Sequence, residues 1–137
     1  VTLTPVTTGP AVDDDPRRYE HLSTTRLEDP GAVARAAKSR RRHPGLKAGR
    51  QNFIVAADHP ARGALAVGSD PVAMADRRQL LDRLQIALAN PAVDGVLASP
   101  DIMDDLLLLG ALDGKLVFGS MNRGGLAGLV NEFDDRF

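Results

Sequence analysis

The sequence predicts an α/β protein built on a parallel sheet, and three observations carry that prediction. From Asn52 onward, short uninterrupted apolar runs suited to buried strands alternate with longer segments whose leucines recur at helical spacing. Each helical segment brings its own start and stop residues. The first fifty residues differ in texture, being rich in Thr, Pro, Asp and Arg. Residues 1–50 therefore read as an N-terminal extension with a short helix, and residues 51–137 as the α/β domain.

Within the extension, Asp29 is expected to be a helix N-cap with Pro30 at the first helical position, followed by GAVARAAKSRRR. The run from Lys38 to Arg50, KSRRRHPGLKAGR, holds seven basic residues counting His43. A nucleic-acid patch would interleave aromatic residues for stacking, and none is present in the run. Cations also complement a helix C-terminus, so a solvated helix end and loop is the preferred reading.

FIVAA, Phe53 to Ala57, forms the first predicted strand. Met74 to Ala89 follows as an amphipathic helix with Leu80, Leu81, Leu84 and Leu88 on one stripe, stopped by Asn90 and Pro91. GVLAS, Gly95 to Ser99, is the second strand. Ser99 then caps a second helix, with Pro100 in its first turn, that runs through MDDLLLLG to an exit flanked by Gly110 and Gly114. KLVFGS, Lys115 to Ser120, is the third strand, followed by MNRGG and a short helix at Leu126 to Phe133. Right-handed crossovers bring the C-terminal ends of all three strands to one edge of the sheet.

Composition narrows the function classes. A formal net charge of −1 gives no global electrostatic case for nucleic acid or an anionic membrane. The absence of cysteine removes disulfides, thiolate-bound zinc and thiol nucleophiles, and fits a reducing compartment. No apolar run approaches the roughly 18 residues of a membrane span, and the charged N-terminal region lacks the apolar centre of a signal peptide. A cytoplasmic protein is expected, with neither nucleic-acid nor membrane partners.

The sheet edge collects the candidate site. In parallel α/β architectures ligands bind beyond the carboxyl ends of the strands. Asp58, His59 and Arg62 follow the first strand, Ser99 and Asp101 the second, and Ser120, Asn122 and Arg123 the third. Each admits a plainer reading. Asp58-His59-Pro60 could be a turn closed by local bonds, although an acid abutting a five-residue apolar run is awkward to satisfy in that way. Ser99 and Asp101 suit helix capping, and Arg62 suits a surface. Asn122-Arg123-Gly124-Gly125 fits either a loop or an anion contact, because glycines let the backbone approach and Arg123 can pair with a phosphate or carboxylate. Known cofactor signatures are missing. Gly63 and Gly68 have phosphate-loop spacing, but Ser69 and Asp70 stand where Lys and Ser/Thr belong. His21, His43 and His59 have no metal-ligand spacing, so no metal or cofactor is expected.

AADHPARGAL (Ala56 to Leu65), DGVLASPDIMDDLLLLGALDGK (Asp94 to Lys115) and GSMNRGGLAG (Gly119 to Gly128) together resemble the actinobacterial Cgl0159-like family, within the wider DhnA-type class I aldolases. The resemblance runs from about Leu22 to the end of the chain. It implies a (β/α)8 barrel of the deoxyribose-phosphate and fructose-bisphosphate aldolase type, whose first strand ends in an Asp-His pair, here Asp58 and His59, as catalytic residues. It also matches Asn122 to the family's Asn after the third strand, while Arg123, Ser99 and Arg62 are substrate-binding candidates from their place at the rim. The Schiff-base lysine of such enzymes lies on a later strand, around the sixth, whereas the lysines here are Lys38, Lys47 and Lys115. Lys115 opens a strand, at the stability face of a barrel. A whole barrel takes about 250 residues, so the resemblance implies the N-terminal part, about three βα units, of an aldolase that is inactive without the rest.

The activity implied is cleavage of a carbon-carbon bond in a phosphorylated sugar or sugar acid through a lysine iminium. An association with inositol breakdown suggests a phosphorylated deoxy-keto-gluconate split to dihydroxyacetone phosphate and malonate semialdehyde. A homo-oligomer is expected of the full-length protein. The competing class is a doubly wound, receiver-like binding domain without catalysis, with Asp58 as phosphoacceptor or magnesium ligand. Such a domain would want an acidic pair after its first strand and a lone Asp after its third, and Ser120 to Gly124 contains no acid.

Overall fold

The computed structural model describes residues 15, 17–46 and 49–120. Three parallel strands alternate with helices, β1 (Ile54–Ala56), α3 (Arg77–Ala89), β2 (Gly95–Ala98), α4 (Pro100–Leu108) and β3 (Leu116–Gly119), after two helices α1 (Glu20–Glu28) and α2 (Ala32–Ser39). The sheet order is β1-β2-β3. Val55 is opposite Val96, and Val96 opposite Val117.

Capping chemistry sets the helix limits. Asp76 starts α3, its carboxylate accepting the backbone N–H groups of Arg78 at 2.8 Å and Gln79 at 3.4 Å. This start lies later than the expected Met74, because the Met74 N–H is bound to the Leu65 carbonyl of the preceding loop at 3.0 Å. The expected stop holds, with the Asn90 side chain accepting the Ala92 N–H at 2.9 Å. Pro100 opens α4 as expected, and Gly110 takes a left-handed φ of 69° just after it.

One face of the sheet is covered. Leu81, Leu84 and Leu88 of α3 and Ile102 and Leu106 of α4 bury Val96 and Ala98, both 0% exposed, with Val55 and Val117 packed against that cluster. Alternation along a strand sends Ile54, Ala56, Leu97, Leu116 and Phe118 to the other face. No helix covers that face among the described residues; Ala56 is exposed and Phe118 is 37% exposed.

The helical segment before β1 departs from expectation. Two helices occupy it, and Asp29 stands at the C-terminal end of α1, where its N–H donates to the Thr25 carbonyl at 2.8 Å. Gly31, not Asp29, precedes α2. The Asp29 carboxylate pairs instead with Arg35. Only Leu22 of α1 is buried, and it joins the core. Polar bonds fix the rest: Arg18 pairs with Asp82, the Tyr19 hydroxyl donates to Asp82 at 2.6 Å, and Gln85 donates to the Tyr19 oxygen at 2.6 Å.

The basic run is engaged within the chain. Arg40 donates to the carbonyls of Leu112 and Lys115, both at 3.1 Å. Arg41 pairs with Asp113 at 2.9 Å and Arg50 with Asp94 at 3.0 Å. Among the described residues, no helix is long and apolar enough to cross a membrane.

Candidate functional site at the carboxyl edge of the sheet

The residue after buried Ala57 is Asp58, and the ladder extends that far, the Ala57 N–H donating to the Leu97 carbonyl at 2.7 Å. Alternation turns Asp58 toward the uncovered face of the sheet. Ser120 follows Phe118 in the same way, and its N–H donates to the Ala98 carbonyl at 3.1 Å. Directly after Asp58 the chain makes a 3-10 turn, His59–Arg62, closed by Gly63 with a left-handed φ of 73°. One turn of the chain brings Arg62 back over Asp58.

Asp58, Arg62 and Ser120 meet there. The Arg62 Nε donates to Asp58 Oδ2 at 2.8 Å, the Ser120 hydroxyl donates to the same oxygen at 2.9 Å, and Arg62 Nη2 donates to Ser120 Oγ at 3.3 Å. The Asp58 side chain is 14% exposed. Burial alone would push its carboxyl up, but the hydrogen bonds from Arg62 and Ser120 and the nearby guanidinium charge outweigh it. The group is held below the usual carboxylate range. What stands at the rim is an ionised carboxylate with one oxygen doubly engaged, able to accept a hydrogen bond from a hydroxyl.

His59 is not in this cluster. It lines a separate cavity of about 250 Å³ between β1 and α3, with Val55, Met74, Leu80, Leu84 and Ala87 among its walls. The turn separates them: Asp58 has a helical backbone, φ −92° and ψ −4°, and His59 opens the 3-10 segment rather than continuing the strand. Ser99 is also apart. It occupies the N-cap position of α4 without making the expected side-chain cap bond, and its hydroxyl donates to Asp101 Oδ1 at 2.5 Å. Burial raises the Asp101 carboxyl, but bonds from Arg77 and Ser99 hold it below its ordinary range. Arg77 also donates to Asp105 at 2.6 Å, and Arg26 of α1 pairs with the other Asp105 oxygen at 2.8 Å. This second network ties the N-termini of α3 and α4 to α1.

Asn122 and Arg123, with Gly124, Gly125 and the helix expected at Leu126 to Phe133, lie outside the described residues. Lys115 sits at the opposite end of the sheet, its Nζ donating to the carbonyls of Val93 at 2.6 Å and Asn90 at 3.2 Å. Among the described residues, no group of three or more His, Asp or Glu side chains is arranged to hold a metal ion. The sequence places Ser120 on the rim without a role. The signal that could have found one is parity with Leu116 and Phe118.

Fold and rim together define an α/β protein whose parallel strands alternate with helices and carry an Asp-Arg-Ser cluster at their carboxyl edge. The chain belongs to the Cgl0159-like family, whose model matches residues 50–137. It is similar to the crystal structure of Cgl0159 from Corynebacterium glutamicum (Brevibacterium flavum), with 55% sequence identity and a TM-score of 0.79 over 90% of this chain. The chain spans 42% of the length of that solved protein. No curated protein matches it.

Proposed function

We propose that this chain is the N-terminal part of a (β/α)8 barrel and supplies the proton-handling side of a class I aldolase-like site. The observation that carries the reading is the ionised Asp58 carboxylate, braced by Arg62 and Ser120, where the strands present ligand-binding groups. Two features of the sheet support the barrel. Each strand neighbours the next in sequence, and α3 and α4 lie together on one face while no helix covers the other among the described residues. A barrel fills such an inner face with side chains from its remaining strands. A receiver-like sheet sets its first strand between the second and third, unlike the order here.

In the proposed reaction a lysine amine from a later strand condenses with the substrate ketone, losing water to form an iminium. Asp58 then takes the proton of the hydroxyl on the carbon beyond the scissile bond. The bond's electron pair moves into the iminium, giving an enamine, and an aldehyde leaves. The substrate class is a phosphorylated sugar or sugar acid. Asn122 and Arg123 are proposed to contact its polar and anionic groups, while Arg62 serves the carboxylate.

Borohydride reduction in the presence of a ketose phosphate tests the reading. The full-length protein should gain a covalent adduct on one lysine by mass spectrometry, and residues 1–137 alone should gain none. An adduct on Lys115 would overturn the assignment, because that amine is held at the far end of the sheet.

A further inference from the structure

We propose that Ser120 is a positioning residue of this site: with Arg62 it closes a hydrogen-bonded ring on one oxygen of Asp58, so that the other oxygen is presented to the substrate hydroxyl. The inference rests on the aldolase-like reading for the identity of that hydroxyl, but the ring itself is defined by geometry.

The direction of every bond in the ring is fixed. Arginine has only donors, so Ser120 Oγ must accept from Arg62 Nη2 at 3.3 Å. A hydroxyl has one hydrogen, and with that lone pair engaged it is directed at Asp58 Oδ2, 2.9 Å away. Arg62 Nε reaches the same oxygen at 2.8 Å. Oδ2 therefore accepts two side-chain hydrogen bonds, and Oδ1 accepts none from the described side chains. An aspartate carboxylate turns easily about its last torsion, whose wells are broad and two-fold. Two donors on one oxygen, coming from different elements, stop that rotation.

The second donor comes from far away in sequence. Ser120 is 62 residues from Asp58 and reaches it across β2. Its place is set by the sheet, through the Ser120 N–H bond to the Ala98 carbonyl at 3.1 Å. Arg62 is a local brace, four residues from Asp58. Ser120 is thus the group that couples the orientation of the carboxylate to the assembled sheet. Both bonds also favour the charged form of Asp58, keeping it an acceptor.

The test uses the full-length protein with Ser120→Ala and Ser120→Thr. Carbon-13 NMR of the Asp58 carboxyl should show titration at higher pH in Ser120→Ala than in wild type, with Ser120→Thr close to wild type because its hydroxyl is kept. For turnover of a ketose phosphate, kcat of Ser120→Ala should fall by roughly 10- to 100-fold, as for loss of one hydrogen bond to a charged group. The acid limb of its pH profile should move to higher pH, and KM should change by less than about threefold. Borohydride trapping of the iminium should survive. An unchanged Asp58 titration in Ser120→Ala, or a Ser120→Thr protein as shifted as Ser120→Ala, overturns the proposal. If the titration shifts as stated but wild type forms no adduct, the ring stands and the aldolase reading falls.

Discussion

Replacing Gly95 with alanine probes how closely β2 and β3 approach. A Cβ at Gly95 would lie 2.3 Å from the Leu116 carbonyl oxygen, 2.6 Å from the Leu116 Cβ and 2.8 Å from its carbonyl carbon, where ordinary contact begins at 3.4 Å. Relief requires β3 to retreat by about 1 Å, a shift that bonds of fixed geometry do not absorb. The Leu116 N–H bond to the Asp94 carbonyl, now 2.8 Å, would then be stretched out of range. Overpacking costs about 1–3 kcal/mol and a lost backbone hydrogen bond about 1 kcal/mol, offset by about 0.4–1 kcal/mol from a stiffer unfolded chain. The expected net loss is about 1–3.5 kcal/mol. Urea unfolding of the complete polypeptide measures it, with equal m-values as the check on compactness. Gly110→Ala is the comparison, because Gly110 has a φ of 69° and nothing within 4 Å of a Cβ. It should lose only the cost of a left-handed residue, about 1 kcal/mol. A Gly95→Ala loss no larger than that of Gly110→Ala would refute the close approach. Activity per folded molecule should be unchanged, since Gly95 begins β2 at the end opposite the rim.

Asp58→Asn in the full-length protein should lower kcat by roughly 10² to 10⁴ while the melting temperature stays near wild type; steady-state kinetics within about threefold of wild type would remove Asp58 from proton handling. Residues 1–137 expressed alone should self-associate in sedimentation experiments, because among the described residues no helix covers the face carrying Ala56, Leu97 and Phe118, and a compact cooperative monomer would count against the barrel. Tyr19 is the single tyrosine of a chain without tryptophan. Burial, then the hydrogen bond to Asp82, pushes its phenol from 10.0 up to about 12. Ultraviolet titration should therefore show phenolate only well above pH 10.0, moving back in Asp82→Asn. Since the folded value is the raised one, this contribution to stability is complete below 10.0 and lost as pH rises through about 12. An ordinary midpoint in the folded wild type would mean that α1 is not docked on α3.

The elements from β1 onward are legible in the sequence because their signals are local. Leucine spacing and the Ser99-Pro100 start mark α3 and α4, and the apolar runs mark the strands, with differences confined to a few residues at their ends. Helix α1 is not legible. EHLSTTRLE has no apolar stripe, and what holds it are bonds from Arg18 and Tyr19 to Asp82, from Gln85 to Tyr19 and from Arg26 to Asp105, partners far along the chain. Asp29 followed by proline has the form of an N-cap, yet its carboxylate is held by Arg35 and its backbone ends the preceding helix. At the site, the placement of Asp58 and Arg62 on the rim is readable. The separation of His59 from Asp58 is not, because it arises in the 3-10 turn that follows β1. The meeting of Asp58 with Ser120 depends on register, which no single strand reveals.

That dependence has a consequence for how sequence changes can be tolerated. Insertion or deletion of one residue inside β1 or β3 leaves composition and apolar character nearly intact, but it reverses which side chains face the helices. Either Asp58 or Ser120 would then exchange places with its neighbour, and His59 or Gly119 would arrive where the ring closes. Single-residue length changes in these two short strands should therefore be tolerated far less than substitutions, whereas the loop between Gly63 and Asp76, which sets no register, can vary in length freely.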